Sequence, residues 1–137
     1  NEFVASFVGV ETVLRGRVAR SSDGVFAALM DGGGEIEAVG SVEAGQEVLC
    51  CIRPEHVTVS TAAPLSTSAR NVFPGTIRQI TPLGLFHRVQ LDCGFPLVAY
   101  VTRQSLDGLA LEAGQRVTAS FKATAVHVIR RKESPRT

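Results

Sequence analysis

Apolar and polar residues alternate along much of this chain. Val117-Thr118-Ala119-Ser120-Phe121 and Val126-His127-Val128 place every second side chain on one apolar face, as half-buried strands do. On this pattern, short strands are expected at 15–20, 25–31, 35–40, 47–53 and 57–60, and again at 75–81, 85–92, 96–101, 116–122 and 125–130. Turn-forming sequences bound them, among them Asp31-Gly32-Gly33-Gly34, Asp92-Cys93-Gly94 and Ala113-Gly114-Gln115.

The two sets of strands are related. Glu43-Ala44-Gly45-Gln46-Glu47-Val48 returns as Glu112-Ala113-Gly114-Gln115-Arg116-Val117, and Leu14-Arg15-Gly16-Arg17-Val18 matches Phe73-Pro74-Gly75-Thr76-Ile77. The offset grows between these matches, so the second copy carries an insertion of about ten residues within 101–110. Short strands at even spacing, repeated twice, predict an all-β chain of two tandem small five-stranded barrels of the oligonucleotide/oligosaccharide-binding (OB) type. Residues 1–60 are expected to form the first barrel and 68–131 the second. The stretch 61–67, rich in Ala, Ser and Thr with Pro64, is read as a linker, and 132–137 as a frayed tail. Glu2 to Gly9 breaks the alternation: Phe3, Val4, Phe7 and Val8 share a helical face that Gly9 can end, which predicts a short N-terminal helical stub.

Composition narrows the classes of function. The chain is 45% hydrophobic and 20% charged with a net charge of +1, and no apolar run approaches the length of a membrane span. Such balance, with 6% aromatic residues, argues against nucleic acid, which calls for a clustered basic surface and stacking rings. Cys50, Cys51 and Cys93 make no Cys-x-x-Cys pair and are read as reduced thiols of a cytoplasmic protein. His56, His87 and His127 have no nucleophile or carboxylate at a catalytic spacing and are read as strand residues. No phosphate-binding Gly-x-x-x-x-Gly-Lys-[Ser/Thr] loop is present, so no enzyme is expected in this chain; nor does any cluster have cation-ligand spacing.

What remains is local anion chemistry. A small oxyanion offers no apolar surface, so its site must supply N–H and O–H donors and one or two fixed cations. The second half has three such groups: Ser68-Ala69-Arg70-Asn71 before its first strand, Thr102-Arg103-Gln104-Ser105 in the insertion, and Lys122-Ala123-Thr124 at the end of its fourth strand. One helical turn capped by Thr102 would place its hydroxyl and that of Ser105 on one side.

These groups, with the glycine at 75, the turn Leu109 to Gly114 and Phe121-Lys122-Ala123-Thr124-Ala125-Val126-His127-Val128-Ile129, resemble the molybdopterin-binding-protein (Mop) domain. Phe3 to Gly9 and Cys51-Ile52-Arg53-Pro54-Glu55-His56-Val57 are similar to the start of the TOBE region that follows the nucleotide-binding domain in ABC importer ATPases. The resemblance implies a regulatory segment of such a subunit, cytoplasmic and peripheral to the inner membrane, in a complex of ATPase domain and membrane permease. It implies molybdate or tungstate as ligand, with no cofactor, held between two Mop units of a homodimer. Ser68, Ala69 and Arg70 would stand on one side, and Thr102, Ser105, Lys122 and Ala123 on the other. The first half has Arg53-Pro54 in place of Lys122-Ala123 and lacks the insertion, so it is expected to bind nothing. The competing reading is a partner-docking TOBE module, of the kind found in sugar importers, with no bound ion.

Overall fold

A computed structural model describes residues 9–62 and 69–130; the expected helix at 2–9, apart from Gly9, most of the linker, Ser68 and the tail lie outside them. The first sheet contains β1 (Thr12–Ser22), β2 (Val25–Met30), β3 (Glu35–Val39) and β4 (Glu47–Ile52). After a 3₁₀ turn, Pro54–His56, comes β5 (Thr58–Ser60). The second half repeats the order with β6 (Asn71–Leu83), β7 (Phe86–Asp92), β8 (Pro96–Thr102), helix α1 (Arg103–Gly108), β9 (Arg116–Phe121), a 3₁₀ turn Ala123–Ala125 and β10 (Val126–Arg130). The alternation seen in the sequence is the burial pattern of the strands: Thr12, Leu14, Gly16 and Val18 of β1 point inward while Val13, Arg15 and Arg17 face solvent. Helix α1 fills the insertion, as expected from Thr102. His56 lies in the first 3₁₀ turn rather than in a strand, because Pro54 fixes φ and removes the N–H that would continue the β4 ladder.

The two halves are not separate barrels set end to end. The sheets run β10-β4-β1-β2-β3 and β5-β9-β6-β7-β8, so each half lends its last strand to the other. Val126 pairs with Ile52 and Val128 with Cys50, while Thr58 pairs with Ser120. The 3₁₀ turns carry out the exchange: each follows the fourth strand of its half and delivers the chain to the opposite sheet. Periodicity correctly marked the inward faces of these short strands but contains no information about which sheet receives them.

The exchange gives the molecule one continuous core, in which Phe26, Ile36 and Ile52 of the first half join Ile77, Leu97 and Phe121 of the second. The turns before β3 and β8 meet where the halves join: Phe95 lies against Gly34 and packs edge-on to Phe73 at 5.0 Å. Both long strands carry a bulge, between Val18 and Arg20 and between Ile77 and Gln79. Counted from the bulges, Thr12 corresponds to Asn71 and Ser22 to Thr81; through register partners, Val25 corresponds to Arg88, Glu37 to Val98 and Val39 to Tyr100.

Candidate functional site

Asn71 opens β6 opposite Phe121 of β9, so the residues just outside that pair, Arg70 and Lys122, sit side by side at the end of the two strands. Asn71 is 2% exposed, and its amide clasps the first half. Its Nδ2 donates to the Glu37 carbonyl at 2.9 Å, and its Oδ1 accepts from the Glu37 N–H at 2.8 Å. This pair of hydrogen bonds fixes the point at which Arg70 emerges. Asn71 is therefore a structural clasp, although it stands inside the motif that suggested an anion site.

Arg70 and Lys122 are both exposed, and neither has a carboxylate partner among the described residues. Five other arginines are paired with acids: Arg17 with Glu47, Arg20 with Glu35, Arg78 with Asp92, Arg88 with Glu11 and Arg103 with Asp107. Two adjacent cations without acid partners repel each other and attract an anion. Ala69 is half-buried beside them, and Ala123 is buried at the start of the 3₁₀ turn that Lys122 initiates. Of the sequence-predicted residues, the fold brings together Ala69, Arg70, Lys122 and Ala123; Ser68 lies outside the described residues.

Thr102 and Ser105 form a second group. Thr102 ends β8 in extended conformation and caps α1, its Oγ1 accepting from the Ser105 N–H at 3.1 Å. Its hydroxyl also donates to Ser105 Oγ at 3.1 Å, so both oxygens occupy one side of the turn. Arg103 is held by Asp107 within the helix. Among the described residues no bond links this pair to Arg70 or Lys122. The groups flank different junctions: Asn71 ties the cations to β3, whereas β8 is tied through Val98 to Thr12, whose Oγ1 accepts the Val98 N–H at 3.2 Å.

A third polar group was missed in the sequence. Glu11, just before β1, accepts from Arg88 Nε at 2.6 Å and from the Tyr100 hydroxyl at 2.5 Å. The hydrogen bond to Glu11 pushes the Tyr100 phenol above its ordinary pKa, so it keeps its proton and donates. These residues are 77 and 89 positions apart, and no local spacing reports them. Extending the repeat match back from Gly16 and Gly75 would have set Glu11 in the place of Arg70. Burial raises the thiols of Cys50, Cys51 and Cys93 to about 12, 11 and 11, which keeps them protonated at neutral pH. No cluster of His, Cys, Asp or Glu among the described residues has the makings of a cation site, and no helix among them is long and apolar enough to cross a membrane.

A β-chain of two exchanged five-stranded sheets is a known architecture. Residues 67–128 match the TOBE domain, in the half where the Mop resemblance lies. Over 135 residues, 93% of this chain, it is 37% identical to the molybdate/tungstate import ATP-binding protein WtpC of Pyrococcus horikoshii, and over 129 residues it is 38% identical to WtpC of Pyrococcus abyssi. The chain spans 35% of the length of each of these relatives. Its fold is that of the cytoplasmic molybdate-binding protein ModG, solved with molybdate bound: TM-score 0.77 and 25% identity, covering 86% of this chain and 94% of that one. The expected all-β, OB-like architecture therefore holds, with the strand exchange added to it.

Proposed function

We propose that this chain is the non-catalytic, oxyanion-sensing regulatory segment of an ABC importer ATP-binding subunit, and that it takes molybdate or tungstate. The observation that carries this reading is the pair Arg70 and Lys122, adjacent across β6 and β9 and without an acid partner among the described residues. Two unit charges about 4 Å from a dianion, at an effective dielectric near 20, each contribute roughly 4 kcal/mol per unit of opposite charge before desolvation is subtracted. A planar guanidinium can also grip two oxygens of a tetrahedral anion. The likeness to WtpC and ModG supports the choice of ligand.

Thr102 and Ser105 lie on a different junction from the cations, which supports a site completed between two copies: Ser68, Ala69, Arg70, Lys122 and Ala123 from one, Thr102 and Ser105 from the other. This departs from the family pattern, since Lys122 and Ala123 stand with Arg70 and not with Thr102 and Ser105. The chain then works on the cytoplasmic side of the membrane as a homodimer, attached to the ATPase domain and through it to the permease. An anion that binds one dimer arrangement more tightly than another shifts the balance between them, and occupancy at high intracellular oxyanion thereby restrains import.

The test is isothermal titration of the purified chain with molybdate, tungstate and sulfate, beside the Arg70→Ala/Lys122→Ala variant. Binding of the first two is expected, with affinity falling by about 100-fold or more in the variant as two charge-assisted hydrogen bonds are lost. Folded, dimeric protein that gives no heat with any of the three anions would overturn the sensor and leave a partner-docking module.

A further inference from the structure

We infer that the junction formed by Glu11, Arg88 and Tyr100 is an anion position that the chain fills with its own carboxylate. Glu11 corresponds to Arg70, one residue before Thr12 as Arg70 is before Asn71. The residues that face it have changed in step. Arg88 and Tyr100, register partners on β7 and β8, stand where the other junction has Val25 and Val39, register partners on β2 and β3. One junction thus has a cation and two valines at the positions where the other has a carboxylate and two donors.

The donors are built to hold an anion. Arg88 Nε and the Tyr100 hydroxyl address different oxygens of Glu11, at 2.6 and 2.5 Å, as two donors would address two oxygens of a tetrahedral oxyanion. The Tyr100 ring is steadied by stacking on Phe86. The side chains of Arg88 and Glu11 are only 27% and 23% exposed, whereas the arginines of the other four ion pairs are 60–73% exposed. Beside Glu11 and Arg88 opens a cleft of about 530 Å³ lined also by Gln90, Asp92, Pro96 and Val98, so a small anion can reach Arg88 once the carboxylate is gone. The ligand class is a small oxyanion or carboxylate. The inference does not rest on the sensor reading, since it concerns different residues.

The experiment measures melting temperature against concentration of acetate, sulfate and molybdate, with sodium chloride matched for ionic strength. Proteins compared are the wild type, Glu11→Ala, Glu11→Ala/Arg88→Ala, and Glu11→Ala with Arg70→Ala/Lys122→Ala. Glu11→Ala is expected to melt lower than wild type and to recover by a saturable rise of about 4 °C or more with at least one anion beyond chloride. The rise should persist when Arg70 and Lys122 are removed and disappear when Arg88 is removed. Glu11→Gln, of unchanged side-chain length, carries the same comparison if the alanine variant does not fold. No anion-specific rise in either variant, or a rise that survives Arg88→Ala, overturns the inference. The sensor reading fails separately, in the wild-type titration.

Discussion

In the first half, β1 enters its sheet behind Glu11 and Thr12; in the second, β6 enters behind Arg70 and Asn71. The backbone treats these as the same place, with the same bulge downstream and the same exchange of final strands. The side chains do not. Asn71 makes two bonds to Glu37 where Thr12 accepts one from Val98. Arg70 has no acid partner among the described residues, where Glu11 is gripped. Strand exchange explains how such divergence is tolerated: each sheet is completed by the other half, so the fold does not depend on either junction alone. One junction can remain open for a ligand while the other is closed from within.

The junction clasps give the largest expected effect. Asn71→Ala strands both the N–H and the carbonyl of Glu37 and should cost about 2–4 kcal/mol, whereas Thr12→Val strands only the Val98 N–H and should cost about 1–2 kcal/mol. Urea unfolding of both variants measures this through the midpoint at constant slope. Equal losses would mean that the two junctions contribute alike and that the asymmetry has no energetic consequence.

The matched glycines sharpen the comparison at smaller scale. A Cβ on Gly16 would meet the Leu29 carbonyl oxygen at 2.7 Å and the Met30 methyl closer still; one on Gly75 would meet Cys93 Sγ at 2.7 Å but the Asp92 carbonyl oxygen only at 3.2 Å. A flexible side chain can turn away, and a paired backbone carbonyl cannot. Gly16→Ala is therefore expected to cost about 2–3 kcal/mol and Gly75→Ala about 1–2 kcal/mol, read by the same unfolding assay.

Much of this architecture was legible in the sequence because it is local. Alternation in Val117 to Phe121 gave the strand and its inward face, the Glu-Ala-Gly-Gln repeat gave the duplication, and Thr102 followed by Ser105 gave the capped turn of α1. The destination of β5 and β10 was not legible, since nothing in Thr58 to Ser60 or Val126 to Arg130 encodes which sheet they join. For the candidate site, the residue types were visible, but their grouping was not. That Lys122 stands beside Arg70 follows from the register of β6 on β9, and that Asn71 serves the fold follows from its contact with Glu37, 34 residues away. Glu11, Arg88 and Tyr100 escaped because their partnership exists only once the two halves are folded together.

The smallest expected effect compares the exposed ion pairs of the two halves. Arg20 holds the Glu35 carboxyl below its usual pKa near 4.5, and Arg78 holds that of Asp92 below its usual value near 3.8. Because both are depressed in the folded state, their stabilisation is present above the unfolded values and is lost as pH falls through the folded ones. Exposure keeps either contribution small. The pairs differ in what else touches the carboxylate: Arg20 alone favours the charged form of Glu35, whereas Asp92 also accepts the Gly94 N–H at 3.0 Å. In carbon-detected NMR titrations, Arg20→Gln should return Glu35 to its ordinary range, while Arg78→Gln should leave Asp92 partly depressed by the backbone bond. If Asp92 returns fully as well, the turn after β7 does not hold its carboxylate independently, and the second half loses one of the local features that set it apart from the first.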